Sequence, residues 1–278
     1  MQTPLDPGLY IVATPIGNLG DLSPRAADVL RSVALVLAED TRVTGKLLKH
    51  VGSTAPARRY DDHSTDKDRA GFVARLGTDA VALVSDAGTP LVSDPGYKLV
   101  RAARDAGADV RTVPGPCAAI AGLTVAGLPT DRFLFLGFLP AKPKARADAI
   151  AEVAGVRATL VLYESGPRLG DTLKALAEQL GPREAAVARE ITKLHEECVT
   201  GTLAELAERY SSETPKGEIV LVVSPPLEAD EVSDADLDRM LEATLAKFSV
   251  SRAAAKVAEE LKIPRKRAYA RALELSRK

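Results

Sequence analysis

Four short stretches hold the residues best suited to chemistry: "TPIGNLGD" (14–21), "EDTR" (39–42), "SDAGTP" (85–90) and "VPGPCAA" (113–119). Each follows a short apolar run. Taken singly, their Gly and Pro need do no more than make turns. Four such turns on one side of a parallel sheet would instead form a binding rim, because ligands of open sheets sit beyond the carboxyl ends of the strands. The rim is a poor cradle for a polyphosphate. Neither G-x-G-x-x-G nor G-x-x-x-x-G-K-[ST] occurs, and the prolines remove N–H donors. Small residues, backbone carbonyls and a carboxylate such as Asp86 suit a compact ligand carrying a positive charge, a ribose and a base.

Other stretches mix acids, bases and hydroxyls just past apolar runs: "YDDHSTD" (60–66), "LYESGPR" (162–168), "REITKLHEE" (189–197) and "PKGE" (215–218). Each by itself could be an ordinary surface ion-pair set. Metal chemistry is not expected. His50, His63, His195, Cys117 and Cys198 show no paired ligand spacing, as a zinc site would require. Cys117 has no adjacent base, which makes it a packing residue rather than a nucleophile.

The elements that must position these loops alternate along the chain. Strands are expected at 8–13, 35–40, 80–85 and 109–115, and helices at 22–33, 42–51, 69–76 and 96–107. That rhythm predicts a parallel sheet covered by helices on both faces. Ser23 and Pro24 supply a cap and a first helical residue. After Pro129 the connections shorten. Strands at 132–139, 158–165, 185–190, 198–203 and 218–223 predict a second, mixed sheet, closed by a linker, "SPPLEADEVSDAD" (224–236). Helices at 250–261 and 265–278, broken by "KIP", fit either a helix-turn-helix or a plain helical hairpin.

The 278 residues allow one large domain or several small ones. Two cysteines exclude a disulfide scaffold and suit a reducing compartment. The first residues lack the basic and apolar regions of a secretion signal. No run approaches the ~18 apolar residues of a membrane span. A cytoplasmic protein is expected. Net charge is −1, but it is unevenly spread. Residues 247–278 hold ten Lys and Arg against three Glu, and the preceding segment 227–242 holds seven acids and one Arg. A small basic module attached to a neutral-to-acidic body is one reading, and a solvated helix face the other.

Together "LYIVATPIGNLGDLSPRA", "AEDTR", "VSDAGTPLVSDPG", "VPGPCAA" and "AREITKLHEE" resemble the ribosomal RNA small subunit methyltransferase I family. Its members are S-adenosylmethionine-dependent 16S rRNA (cytidine-2′-O)-methyltransferases of the tetrapyrrole methylase superfamily. The similarity runs from about Leu9 to Val223, and the helical tail fits the family's small C-terminal domain. The resemblance implies a tetrapyrrole-methylase-like α/β fold. Two α/β domains, 1–115 and 116–228, would hold a cofactor cleft between them, followed by a small basic helical domain, 229–278. It also implies a homodimer acting on 16S rRNA or the small ribosomal subunit, away from any membrane.

For the cofactor, the resemblance assigns Pro15 and Gly17 from the first loop and Asp86, Ala87, Gly88, Thr89 and Pro90 from "SDAGTP". Pro114, Gly115, Cys117 and Ala118 of the "VPGPCAA" turn and Tyr163 of "LYES" would complete the walls. Asp94 is expected to cap the next helix, with Pro95 behind it. The acceptor would be the ribose 2′-hydroxyl of a flipped-out cytidine in the decoding centre. That hydroxyl needs a base or a cationic neighbour to lose its proton. Glu39, Asp40, Glu164, Lys193, His195 and Glu196 are the candidates, and sequence does not choose among them. Arg42 and Arg168 are candidates for RNA phosphates, as are Arg265, Lys266, Arg267 and Arg271 in the tail. Tyr269 would stack on a base or pack in a core.

Two other readings stay open. The first is a porphyrin or corrin methylase, which usually opens with G-x-G-P-G-D where this chain has "ATPIGN". The second is a non-catalytic RNA-binding protein acting through its tail. At "YDDHSTD" the chain departs from the family's His-Glu-His-Asn-like stretch, so Asp61, Asp62 and His63 receive no role.

Overall fold

A computed structural model describes residues 4–226, 234–261 and 263–276. They form two compact units that divide at Pro225/Pro226.

The first unit begins with a β-α alternation: β1 (Gly8–Val12), α1 (Pro24–Ser32), β2 (Leu35–Ala38), α2 (Thr41–Val51), β3 (Ala57–Arg59), α3 (Asp66–Arg75), β4 (Ala80–Val84), α4 (Tyr97–Asp105) and β5 (Val110–Val113). The strands form one sheet in the order β3-β2-β4-β1-β5. Every pairing is parallel. β2 and β4 are buried at each residue, as strands covered on both faces must be. Leu30, Leu47 and Leu48 from α1 and α2 cover one face against Val36 and Val84. Leu99 and Ala103 from α4 cover the other against Leu37 and Leu83. Each such buried Leu contributes roughly 1.5–3 kcal/mol.

Local signals set the helix ends. The Ser23 hydroxyl accepts from the Ala26 N–H, with Pro24 in the first turn of α1. Asp40 caps α2, and Gly52 ends it at φ 70, a conformation glycine adopts without steric cost. Thr65 and Asp68 form a reciprocal capping box at α3. β3, only three residues long and two of them Arg58 and Arg59, has no periodicity from which a strand could be read.

The chain then enters α5 (Ala118–Val125) and a second sheet. Its elements are β6 (Phe133–Phe138), α6 (Pro143–Val153), β7 (Thr159–Ser165), α7 (Gly166–Leu180), β8 (Glu184–Arg189), β9 (Glu197–Thr202), α8 (Leu203–Ser212) and β10 (Glu218–Val223). The order is β6-β7-β10-β8-β9. Only β6 and β7 pair in parallel, so the sheet is mixed. Ile150, Leu169, Leu173 and Leu206 from α6, α7 and α8 bury one face. α5 covers the other through Ala119 and Leu123. Gly122 permits that approach, since a Cβ there would lie 2.5 Å from Val220 Cγ1.

The second unit contains α9 (Asp234–Leu245), α10 (Val250–Glu260) and α11 (Arg265–Leu275). Leu237, Leu241, Ala254, Val257, Ala268 and Ala272 form its core. The reading of 224–236 as a linker is corrected at its end, because α9 starts at Asp234. Asp234 and Asp236 lie in its first turn, where carboxylates suit the helix dipole, and Leu237 and Leu241 supply its i, i+4 apolar stripe. Residues 227–233 of that stretch lie outside the described residues.

Candidate active site

All four motif loops leave the carboxyl ends of parallel strands, and they bond to one another. Thr14 and Gly88 exchange backbone hydrogen bonds of 2.8 and 3.1 Å. The Asp40 N–H donates to Asp86 Oδ1 at 3.0 Å. The Thr89 hydroxyl donates to the Pro116 carbonyl at 2.9 Å. Gly115 lies close against Ala13, where a Cβ would sit 3.0 Å from the Ala13 Cβ. The rim is thus one bonded structure rather than four separate turns.

Above it opens a cleft of about 400 Å³, walled by both sheets of the first unit. Glu39, Asp86, Gly88 and Thr89 come from the first sheet's loops. Ala118 and Tyr163 come from the second half, joined by Phe138 and Glu190. The Tyr163 hydroxyl accepts from the Ala119 N–H at 3.1 Å, which ties β7 to the start of α5. Burial, with Cys117 adding to it, pushes the Tyr163 phenol well up from its ordinary value. Its ring meets Phe135 edge-on at 5.0 Å and Phe138 at 5.6 Å. Phe138 is 56% exposed. A bulge in β6 at Gly137, φ 61, precedes it.

Backbone strain concentrates in the cleft. Among the described residues, the non-glycine residues with positive φ are Leu91, Ser93, Glu190 and Thr192. The first two lie in the loop after β4, the others in the loop after β8. Ser93 and Glu190 line the cleft. Such conformations cost roughly 1–3 kcal/mol each and persist where surrounding structure enforces them. The enforcing contacts are visible. Glu196 Oε2 accepts from the Thr192 N–H at 2.6 Å, and the Thr192 hydroxyl donates to Asp21. Lys193 Nζ donates to Glu190 Oε1 at 2.9 Å. The Lys193 stem lies over Gly17, where a Cβ would come within 2.5 Å of Cγ and Cε.

Carboxylates dominate the electrostatics. Burial raises the Glu39 pKa, and Asp86, Asp94, Asp61 and Asp62 raise it further. Asp94 is also raised, chiefly by burial, with the Ser85 hydroxyl opposing. The expected capping role of Asp94 is corrected. α4 begins at Tyr97 behind Gly96, which holds φ 132 and makes no side-chain cap, while Asp94 faces the cleft. The tight turn through Leu91 and Ser93 delays the helix and turns that carboxylate inward.

The other candidates are placed as follows. Glu39, Glu164 and Lys193 line the cleft. Glu164 is committed to the fold: Oε2 accepts from the Thr172 hydroxyl at 2.7 Å, and Oε1 from the Ser165 N–H at 2.9 Å. Oε1 also lies 3.3 Å from Arg168 Nε. Arg168 is drawn inward by that pair and by its 2.6 Å bond to the Leu139 carbonyl. Asp40 caps α2 and pairs with Arg42 at 2.7 Å, which lowers its pKa to about 2. His195 and Glu196 stand exposed on the loop after β8 and outside the cleft wall.

Ala87 lines the cleft, whereas Pro15, Gly17, Pro90, Pro114, Gly115 and Cys117 shape the loops without lining it. In the second unit Arg271 pairs with Asp238 at 2.6 and 2.7 Å and with Glu274 at 2.5 Å. Arg267 bonds Asp234 and Arg265 reaches Ser251, while Lys266 is exposed. Tyr269 is 43% exposed and so only partly packed. Sequence reasoning did not single out the wall residues Phe138, Glu190 and Glu218, although the last two lie in "REITKLHEE" and "PKGE". Their shared signal was position, each at or beside the end of a second-sheet strand.

Among the described residues no group of three His, Cys, Asp or Glu is disposed to hold a metal ion, and no helix is long and apolar enough to cross a membrane.

The family of Tetrapyrrole (Corrin/Porphyrin) Methylases matches residues 8–207, and the RsmI C-terminal HTH domain matches residues 231–276. Among solved structures, the chain is similar to uroporphyrin-III-C-methyltransferase from Thermus thermophilus, at TM-score 0.56 and 23% identity over 78% of this chain and 93% of that one. Cobalt precorrin-4 methyltransferase gives TM-score 0.59 at 16% identity, over 78% and 94%. These likenesses show the tetrapyrrole methylase fold. Ribosomal RNA small subunit methyltransferase I of Erythrobacter litoralis is 58% identical over 98% of this chain and 96% of its own length. The protein of that name from Escherichia coli O157:H7 is 44% identical over 96% and 94%. With sequence, fold and C-terminal unit in agreement, the chain belongs to the ribosomal RNA small subunit methyltransferase I family.

Proposed function

We propose that the chain transfers a methyl group from S-adenosylmethionine to the 2′-oxygen of a cytidine ribose in the decoding centre of 16S rRNA. The observation that carries this reading is the cleft at the carboxyl ends of the first sheet's strands. Its loops are strained, its wall is acidic and its second side is aromatic.

The donor set fits the cofactor. Glu39, Asp86, Asp94 and Glu190 suit a sulfonium and an ammonium group. Phe138 and Tyr163 offer ring faces to a base. Gly88, at φ 83 with Ile16 Cγ2 only 3.2 Å from where a Cβ would be, leaves backbone open to close approach. A volume of about 400 Å³ lies within the usual range for small-molecule sites. When bound, the cofactor supplies an electrophilic methyl group on a positively charged sulfur.

The chain's own part is to bind, orient and accept a proton. A ribose hydroxyl is a weak acid, and a carboxylate with a raised pKa is a better base for it than an ordinary one. Glu39 meets that need, because it lines the cleft and its burial, with neighbouring carboxylates adding to it, makes its proton harder to lose. Asp40 does not, since its pairing with Arg42 makes it a weak base. Asp86 and the strained loops hold the ligand, and alignment supplies much of the remaining acceleration.

The same reading divides the chain functionally into 1–115 and 116–228, which make the cleft, and 229–278, whose Lys266, Arg265 and Arg267 meet RNA backbone. It places the protein in the cytoplasm with the small ribosomal subunit as substrate, as a homodimer. The exposed apolar side chains Ile120, Val125 and Leu194, the last 93% exposed, suit a second copy. Radiolabelled methyl transfer to small subunits lacking the modification tests the reading, followed by nuclease digestion and mass mapping. Label on one cytidine 2′-oxygen is expected. Label on a porphyrinoid acceptor and none on RNA would transfer the chain to the tetrapyrrole methylases.

A further inference from the structure

Beside the cleft lies a second cavity, of about 430 Å³, lined by Glu39, Asp40, Thr41, Arg42, Arg59 and Asp86. All six residues are polar, so an apolar occupant is disfavoured. Glu39 and Asp86 also line the cleft, so the two cavities share a wall of carboxylates. The two arginines line only the second cavity.

The arginines are available to an anion. Arg59, on edge strand β3, is 73% exposed and uses Nε on Asp61 at 2.7 Å. Among the described residues its terminal amino groups make no hydrogen bond with any side chain or carbonyl. Arg42 is 89% exposed and holds Asp40 through Nε and one terminal nitrogen. Exposed ion pairs are weak, so a phosphate can compete for either guanidinium, whose fork matches it. Carboxylates, for their part, accept hydrogen bonds from ribose hydroxyls. A nucleotide within an RNA strand presents both groups, hydroxyls on the sugar and a phosphate beside it.

We propose that this second cavity seats the acceptor nucleotide, its ribose at the Glu39–Asp86 wall and a flanking phosphate on Arg59, with Arg42 beside it. The proposal rests on the reading of the chain as an RNA ribose methyltransferase and names where its substrate sits. Arg59 then governs affinity for RNA and leaves the cofactor alone.

The test uses the full chain, with small ribosomal subunits lacking the methyl group as acceptor. Arg59→Ala is expected to raise KM for the subunit roughly tenfold or more, the usual loss for a charge-assisted bond. Arg59→Glu should raise it further, and Arg59→Lys should recover part of it. The slope of log affinity against log salt should fall by about one for the Ala variant. S-adenosylmethionine affinity, measured by calorimetry, should match the parent chain. A surface position on an edge strand leaves the fold intact, which melting curves verify. Unchanged KM and salt slope would overturn the inference. So would a parallel loss of S-adenosylmethionine affinity, which would assign the cavity to the cofactor. No methylation of subunits by the parent chain would overturn the functional reading and this inference with it.

Discussion

Glu164 separates a catalytic from a structural reading, and replacing it has a calculable cost. Its side chain is fully buried, whereas that of Arg168 is 31% exposed. Glu164→Ala removes the acceptor for the buried Thr172 hydroxyl and for the Ser165 N–H, and strands a guanidinium that is largely inside the protein. Breaking one side of a buried pair costs roughly 3–5 kcal/mol. Partial exposure of Arg168 and the imperfect alignment of its Nε, which lies 3.3 Å away without a hydrogen bond, favour the lower end, about 3 kcal/mol. For a unit of this size each kcal/mol moves Tm by about 2–4 °C, so a drop of roughly 6–12 °C is expected. Glu164→Gln retains acceptor oxygen and should cost only about 1–2 kcal/mol. Differential scanning calorimetry measures both. Methyl transfer at a temperature where the variants remain folded should keep kcat within about threefold of the parent. A Tm unmoved by Glu164→Ala, together with a kcat reduced by orders of magnitude, would refute this reasoning and return Glu164 to the chemistry.

Three further outcomes follow from the same geometry. Glu39→Gln should lower kcat by about 10²–10⁴-fold and abolish the acid limb of the pH–rate profile, a limb lying above the ordinary glutamate range because the folded pKa is raised. Since Glu39 holds its proton more tightly folded than unfolded, its ionisation opposes folding as pH rises through the folded pKa; the same variant should therefore melt higher than the parent at neutral pH and equal to it near pH 4. Asp40→Ala should lower Tm at neutral pH by removing the α2 cap and the Arg42 pair, and Asp40→Asn should lower it less. With a folded pKa of about 2, the charge-dependent part of that deficit should shrink as pH falls from the ordinary Asp value through the folded one, leaving the loss of the cap, which melting across pH will show. Gly217→Ala would place a Cβ on Glu190 Oε1 at φ 92. It should cost roughly 1–3 kcal/mol and raise the Kd for S-adenosylmethionine by displacing the Glu190–Lys193 pair, as calorimetry will report.

The sequence by itself determined the parallel sheet, because unbroken apolar runs such as Leu35–Ala38 and Ala80–Val84 fit strands buried on both faces. It determined the helix starts at Ser23 and Pro24, which depend only on nearest neighbours along the chain. It also located the four rim loops, since any loop after a parallel strand must reach the same edge. What the sequence left open was the duty of each carboxylate. "EDTR" puts Glu39 and Asp40 side by side, yet only the folded chain turns one into the cleft and spends the other on a helix cap. Asp94 looked like a cap and lies in the wall; Glu164 looked reactive and is pinned by Thr172, Ser165 and Arg168. α9 was legible in its Leu237 and Leu241 spacing but masked by the acids around it. The cleft that separates these duties is walled from both halves of the first unit, and contacts such as that between Asp86 and Asp40, 46 positions apart, exist only after the chain has folded.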